Sequence, residues 1–114
     1  MTVRVFHGDD NDAYRLLIEK TLPDEGGIEI VGGAGTADEV VAGVERAQPD
    51  VVLLDQLHGG QLIERLRAAA PGARVVILSG YEEGSGNDEL ERGADAYVVK
   101  SAPLAVLAAA VRGG

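Results

Sequence analysis

Five short apolar segments recur along this chain, and the stretches between them place their apolar residues at helical spacing. The segments occupy residues 3–6, 28–31, 51–54, 75–78 and 96–99. Uninterrupted alternation of strands and helices is typical of one parallel sheet that is covered by helices on both faces. The sequence therefore predicts a doubly wound α/β fold with a five-stranded parallel sheet.

The distribution of apolar residues within each segment predicts the strand order. Residues 28–31 alternate in the manner of a half-exposed strand, whereas residues 51–54 and 75–78 are apolar throughout, as in strands buried on both faces. The first pattern indicates an edge strand and the second indicates central strands, which fits the order 2-1-3-4-5. Right-handed crossovers then place two helices on one face and three on the other. The Gly-Gly-Ala-Gly run at residues 32–35 is interpreted as a turn.

The connecting segments differ in how clearly they predict helices. The first helix is expected over residues 12–22, with Ala13, Leu16 and Leu17 on one face. Residues 81–93 contain three glycines, which leave room for little more than two helical turns. A short or poorly ordered fourth helix is therefore expected there.

Composition excludes several classes of protein. The 114 residues carry a formal net charge of −9, are 46% hydrophobic and contain no cysteine. These values predict a single globular domain over residues 1–114, without disulfides or a thiolate metal site. No secretory leader opens the chain and no apolar run approaches the ~20 residues that span a bilayer, so we expect a cytoplasmic protein without membrane contact. The acidic balance opposes direct binding of nucleic acid by these residues.

Five polar residues stand where the apolar segments end: Asp9, Asp10, Asp55, Ser79 and Lys100. The carboxyl ends of parallel strands share one edge of the sheet, and ligands bind in the crevice there. Three carboxylates suit a hard divalent cation, and an ammonium and a hydroxyl suit a phosphoryl group. Taken singly, each residue would be a turn or surface residue. Their joint spacing predicts a site for a cation and a phosphoryl group.

The segments that carry these residues resemble a known family. In order along the chain they read VRVFHGDDND, IEIVGGAGTADEVVAGVERAQPDVVLLD, ARVVILSGY and GADAYVVKSA. Together they resemble the receiver domain of bacterial two-component response regulators, especially those that precede a helix-turn-helix output domain. The resemblance covers nearly the whole chain and implies the flavodoxin-like receiver fold.

The resemblance implies a role for each acidic residue. Asp55 matches the phosphoacceptor at the end of the third strand. Asp9 and Asp10 match the acidic pair that holds Mg²⁺ together with Asp55, and the backbone carbonyl of Leu57 matches a further metal ligand.

The resemblance also implies roles for residues of the fourth and fifth strands. Ser79 matches the hydroxyl residue that contacts the phosphoryl group, and Gly80 matches the small residue beside it. Lys100 matches the lysine of the family's phosphorylation site. Tyr97 matches the aromatic residue that switches conformation together with Ser79.

These roles imply a signalling function. The domain would take a phosphoryl group from a sensor histidine kinase onto Asp55, with Mg²⁺ as cofactor, and switch an output, most plainly transcription. Its self-phosphorylation and dephosphorylation would occur within a signalling domain, so it is not expected to be an enzyme with a separate substrate. The resemblance also admits a homodimer and a C-terminal DNA-binding output domain outside these residues.

Two features depart from the family pattern and leave an alternative open. Residues 56–61 read Gln-Leu-His-Gly-Gly-Gln, without the usual Met-Pro pair and about four residues short of the usual loop. His7 replaces an aliphatic residue in a strand that should be buried, and we expect it to be a hydrogen-bonded core histidine. His58 is interpreted as a loop residue, one position too far from Asp55 for a cobalamin-binding motif. The alternative is a degenerate receiver that binds a protein or small ligand without phosphorylation.

Overall fold

The computed structural model describes residues 2–55, 59–80 and 93–113. Five parallel strands form one sheet in the order β2-β1-β3-β4-β5. The strands are β1 (Val3–Gly8), β2 (Ile28–Ala34), β3 (Val51–Asp55), β4 (Arg74–Ser79) and β5 (Ala96–Val99). The predicted fold class, the strand order and the edge position of the second strand are confirmed.

Helices cover both faces of this sheet. They are α1 (Asp12–Thr21), followed by a 3-10 turn (Leu22–Glu25), then α2 (Ala37–Ala47), α3 (Gly59–Ala69) and α4 (Leu104–Arg112). Within the described ranges, α1 and α4 lie on one face and α2 and α3 on the other. The helix that was predicted over residues 81–93 falls, apart from Gly93, outside the described residues. No helix in the described part of the chain combines the length and apolar character that a membrane-spanning segment requires.

The central strand β3 shows how the sheet divides the core into two layers. Val51 and Leu53 contribute to the layer under α1 and α4, whereas Val52 and Leu54 contribute to the layer under α2 and α3. Successive side chains of a strand point to opposite faces, so a strand with helices on both sides is apolar at every position. The unbroken apolar run of β3 is explained by this double burial.

The buried face of α1 differs from the predicted one. Leu16 and Leu17 are 50% and 54% exposed, whereas Ile18 is buried and Tyr14 is half-buried. Tyr14 and Ile18 are four residues apart and therefore share the face that meets the sheet. The apolar face expected from Ala13, Leu16 and Leu17 is therefore not the face that packs against the sheet.

The glycine run that follows Ile30 is mostly strand. Strand β2 continues to Ala34, with Gly32 paired to Phe6 of β1. A Cβ atom at Gly32 would lie 2.8 Å from the Phe6 ring, and a Cβ atom at Gly43 of α2 would overlap the same ring. These two glycines therefore make room for Phe6, and the turn interpretation is wrong for residues 32–34.

The segment after Asp55 is short because α3 begins early. Gly59 and Gly60, which follow this segment, form the first turn of α3. Residues 56–58, which include Leu57 and His58, connect Asp55 to this helix and lie outside the described residues.

Two carboxylates join strands at the amino end of the sheet. Asp50, just before β3, accepts a hydrogen bond from the backbone N–H of Arg4 in β1 at 2.9 Å. Asp95, just before β5, accepts one from the backbone N–H of Val75 in β4 and one from Arg67, both at 2.8 Å. Burial opposes ionisation of Asp95, but these donors outweigh it and lower the pKa of Asp95.

Candidate functional site

The carboxyl edge of the sheet brings together residues that are far apart in sequence. Asp9 follows β1, Asp55 ends β3, Ser79 ends β4 and Lys100 follows β5. Strands β1, β3, β4 and β5 are consecutive neighbours in the sheet, so their carboxyl ends lie side by side. The topology alone therefore accounts for this grouping.

Three carboxylates form a compact cluster at this edge. Asp9, Asp10 and Asp55 each offer one ligand oxygen, and these oxygens lie within 4.8 Å of one another. Asp9 is fully buried and Asp55 is 5% exposed, whereas Asp10 is exposed. Hard divalent cations bind clustered carboxylate oxygens, and the exposed Asp10 leaves an open side from which a cation can enter. This cluster could hold a metal ion.

Lys100 partly neutralises this cluster. Its Nζ atom lies 2.8 Å from Asp9 Oδ2 and 3.9 Å from Asp55 Oδ2. Three carboxylates and one ammonium leave two net negative charges, which matches the charge of a divalent cation. Such crowding of like charges is costly without a bound cation.

Asp9 is held in place from several sides. Its Oδ1 atom accepts a hydrogen bond from the backbone N–H of Asn11 at 2.8 Å, and its Oδ2 atom accepts one from Lys100. Its backbone carbonyl accepts a hydrogen bond from Arg15 at 2.5 Å. Burial opposes ionisation of Asp9, but the Lys100 ammonium and the Asn11 N–H outweigh it and lower the pKa of Asp9. A carboxylate fixed in this way is preorganised to bind a cation.

The Tyr14 side chain, to which the sequence assigned no role in the site, lies against the lysine and is itself in contact with His7. The Lys100 Nζ atom lies 4.4 Å from the centroid of the Tyr14 ring. The His7 ring meets the Tyr14 ring edge-on, with centroids 5.8 Å apart and an interplanar angle of 75°. Burial, with Asp9 and Asp55 nearby, raises the pKa of Tyr14 to about 12, so its hydroxyl stays protonated. The available sequence signal was an aromatic residue in the first turn of the helix that follows the acidic pair.

His7 is buried as expected, with 1% of its surface exposed, but its surroundings differ from the prediction. Within the described residues neither ring nitrogen has a hydrogen-bond partner. Its Nε2 atom lies 3.8 Å from Asp9 Oδ2, beyond hydrogen-bond distance. Burial lowers the pKa of His7 to about 4, so the ring is neutral near pH 7. The expectation that His7 is hydrogen-bonded is wrong, because the ring is buried, meets the Tyr14 ring edge-on and stays beyond hydrogen-bond distance of Asp9.

The remaining predicted residues lie along β4 and β5. Ser79 is fully buried, and its backbone carbonyl accepts a hydrogen bond from the Lys100 N–H at 2.6 Å. A Cβ atom at Gly80 would have no atom of the described residues, other than its chain neighbours, within 4 Å. Tyr97 is half-buried and packs against the core layer under α2 and α3, on the side of the sheet opposite Tyr14. The predicted Leu57 carbonyl ligand lies outside the described residues.

Comparison with known proteins identifies the family. Residues 5–112 match the family model of the response regulator receiver domain. The chain belongs to this family. It is 28% identical over 117 residues to the response regulator protein VraR of Staphylococcus aureus, covering 98% of this chain and 56% of that protein. This receiver domain thus spans about half the length of the curated relatives it matches.

Solved structures show the same fold. The signal receiver domain of the response regulator NarL from Mycobacterium tuberculosis matches with a TM-score of 0.88 and 26% identity, covering 98% of this chain and 94% of that one. A LuxR-family two-component response regulator from Aurantimonas sp. SI85-9A1 matches with a TM-score of 0.83 and 27% identity, covering 99% of this chain and 84% of that one. The flavodoxin-like receiver fold is confirmed, and the chain is a response regulator receiver domain of two-component signalling.

Proposed function

We propose that this receiver accepts a phosphoryl group on Asp55 in a Mg²⁺-dependent reaction and so switches an output. The supporting observation is one cluster in which the ligand oxygens of Asp9, Asp10 and Asp55 lie within 4.8 Å of one another and Lys100 Nζ lies 3.9 Å from Asp55. The two uncompensated negative charges suit a divalent cation. Such a cation and the ammonium together would lower the repulsion that an incoming phosphoryl group meets.

The proposed transfer has a simple atomic balance. A carboxylate oxygen of Asp55 attacks phosphorus and forms an O–P bond, while the bond from phosphorus to the donor's leaving atom breaks. With a phosphohistidine donor the broken bond is P–N, and the imidazole keeps the electron pair and takes a proton from water. Mg²⁺, held by Asp9, Asp10 and Asp55, would neutralise charge on the phosphoryl oxygens.

The other residues of the site would hold and report the phosphoryl group. Lys100 is close enough to Asp55 to pair with a phosphoryl oxygen once Asp55 carries that group. Ser79, at the end of the neighbouring strand, would donate its hydroxyl to another oxygen. In this proposal Tyr97 is the switch residue. Ser79 ends β4 and Tyr97 lies in the paired strand β5, so a movement of Ser79 would alter the packing of Tyr97.

The wider setting of the proposal comes from the relatives. A sensor histidine kinase would be the phosphodonor, and the output would be transcription, since a similar solved protein is a LuxR-family regulator. Residues 1–114 would form the single receiver domain, joined in the whole protein to a C-terminal DNA-binding domain and acting in the cytoplasm. Phosphorylation would then favour a homodimer of this receiver.

The proposal is tested by the mass of the intact protein after incubation with acetyl phosphate. With Mg²⁺ we expect a gain of one phosphoryl group, and with EDTA we expect none. Asp55→Asn should abolish the gain, whereas the matched control Asp24→Asn, on the exposed 3-10 turn, should retain it. The same single gain in Asp55→Asn would assign the acceptor role to another residue.

One observation favours the second candidate, a receiver that binds partners without phosphorylation. Helix α3 begins at Gly59, which leaves three residues after Asp55 for the loop that should supply the Leu57 ligand. If the wild-type protein gains no phosphoryl group from acetyl phosphate or phosphoramidate at saturating Mg²⁺, this second function replaces the first.

A further inference from the structure

The Lys100 ammonium occupies a place defined by two carboxylates and one aromatic ring. Nζ donates to Asp9 Oδ2 at 2.8 Å, lies 3.9 Å from Asp55 Oδ2, and lies 4.4 Å from the Tyr14 ring centroid. An ammonium within ≈ 6 Å of a ring centroid, over the ring face, is attracted by the ring's negative face. We infer that Tyr14 is a positioning residue that keeps the Lys100 ammonium beside Asp9 and Asp55, an inference that rests on the proposed function.

A positioning residue is needed because the flexible Lys100 side chain could instead extend into a neighbouring groove, away from the carboxylates. A groove of about 280 Å³ between α1 and α4 adjoins the site, and Tyr14, Lys100, Leu17 and Leu104 are among the residues that line it. The lysine side chain is a flexible four-carbon stem and is 23% exposed. The attraction between the ammonium and the Tyr14 ring face, at 4.4 Å, favours the conformers in which Nζ lies over the ring and beside the carboxylates.

The position of Tyr14 is itself determined by local structure. The Asn11 side chain caps α1 and accepts a hydrogen bond from the Tyr14 N–H at 3.0 Å. The buried His7 ring supports the Tyr14 ring edge-on from the adjacent strand. Asn11, which follows the acidic pair, therefore helps to fix both the Asp9 carboxylate and the helix turn that carries the Tyr14 ring.

The position of the ammonium matters for phosphoryl transfer because Lys100 pairs with Asp9 in the unphosphorylated protein and would pair with the phosphoryl group on Asp55 after transfer. In the structure Nζ is closer to Asp9 than to Asp55 by about an ångström. A phosphoryl group on Asp55 would draw the ammonium across this short distance. The ring face offers a surface along which Nζ can move between the two partners without losing its attraction to the ring, whereas an aliphatic side chain offers no such attraction.

The experiment compares Tyr14→Phe, which keeps the ring, with Tyr14→Leu and Tyr14→Met, which remove it. Lysine occurs at two positions, Lys20 and Lys100, so isotopically labelled lysine gives two sets of ε-methylene signals in the NMR spectrum. Lys20 is exposed on α1 and serves as the internal reference. In the wild type and Tyr14→Phe, the ring current should shift the Lys100 signals upfield of those of Lys20. In both ring-free variants that difference should disappear.

The rate of phosphoryl gain from acetyl phosphate supplies the second measurement. We expect it to fall about two- to fivefold in the ring-free variants and to match the wild type in Tyr14→Phe. Lys100 signals that do not change when the ring is removed would overturn the inference, as would equal rates in all four proteins or an equal loss in Tyr14→Phe. A wild-type protein that gains no phosphoryl group defeats the proposed function alone, because the NMR comparison still decides where Tyr14 holds Lys100.

Discussion

The two ends of the sheet use aspartate in opposite ways. At the amino end, Asp50 and Asp95 stand apart, and each accepts a backbone N–H from a neighbouring strand at 2.9 Å or less. At the carboxyl end, Asp9, Asp10 and Asp55 crowd together, with ligand oxygens within 4.8 Å of one another. The hydrogen bonds at the amino end stabilise the sheet, whereas the carboxylates at the carboxyl end repel one another until a cation binds.

This difference shows that the role of a strand-end carboxylate depends on whether other carboxylates lie beside it. Asp95 accepts both the Val75 N–H and the Arg67 guanidinium at its Oδ2 atom, so this carboxylate is already engaged by protein groups. Asp10 is exposed, and its carboxylate lies beside two others. Carboxylates that stand apart and accept hydrogen bonds from a neighbouring strand are structural, whereas those crowded with like charges are suited to a cation, even where the protein also supplies donors, as it does to Asp9.

The largest effect on stability is expected when the Lys100 ammonium is removed from the carboxyl end of the sheet. Lys100→Met should lower the free energy of unfolding by roughly 2 kcal/mol without Mg²⁺, because Asp9 stays buried without its counter-charge. Removing one partner of a fully buried pair costs 3–5 kcal/mol, and Lys100 keeps some solvent contact. Urea denaturation measures the change.

The matched control for this variant is Lys20→Met, on the exposed side of α1, which should change stability by less than about 0.5 kcal/mol. Equal urea midpoints for Lys100→Met and Lys20→Met would mean that the stability of the carboxyl end of the sheet does not depend on the Lys100 ammonium.

Removing one of the crowded carboxylates should weaken cation binding without weakening the fold. Asp10→Asn should reduce Mg²⁺ affinity at least about tenfold, since changes even beyond the direct ligands of a metal cost 10–100-fold. The metal-free protein should be no less stable than the wild type, because one repulsive charge is gone. Calorimetric titration with Mg²⁺ gives the affinity. Asp95→Asn, at the other end of the sheet, should bind Mg²⁺ as the wild type does, and a comparable loss there would contradict the division between the two ends.

The smallest effect is expected at the amino end. Asp95→Asn should cost roughly 0.5–1 kcal/mol at pH 7, because the amide can still accept the Val75 N–H but loses the charge that faces Arg67. The pKa of Asp95 is lowered in the folded protein from 3.8, so its contribution is present above that pH and is lost as the pH falls through the folded pKa. The wild type should therefore lose more stability than Asp95→Asn between neutral and acidic pH. Parallel curves of unfolding free energy against pH would show that the charge of Asp95 is not involved.

The strand order and the acidic cluster could be predicted from sequence because both depend on periodicity and topology. Apolar runs define the strands, and parallel strands bring Asp9, Asp55 and Lys100 to one edge whatever the details of packing. The structure of the two glycine runs could not be predicted in the same way. Gly32 belongs to a strand because the Phe6 ring occupies the space above it, which is a contact between distant residues.

The contacts of α1 were beyond prediction for a related reason. Helical spacing allows several faces, and Leu16 and Leu17 form as apolar a stripe as the one that is buried. The rotation of the helix is set by the Asn11 cap and by the packing of Tyr14 against His7. These tertiary contacts place Tyr14 against Lys100, and spacing along the chain does not reveal them.

The most direct test of the central claim is to locate the phosphoryl group. Borohydride reduces an aspartyl phosphate to homoserine, so treatment after incubation with acetyl phosphate and Mg²⁺ marks the acceptor for peptide mass spectrometry. The account predicts homoserine at position 55 and unmodified aspartate at Asp50, which lies in the same tryptic peptide between Arg46 and Arg65. Homoserine at Asp9, Asp10 or Asp50, or no homoserine in a protein that binds Mg²⁺, would contradict it.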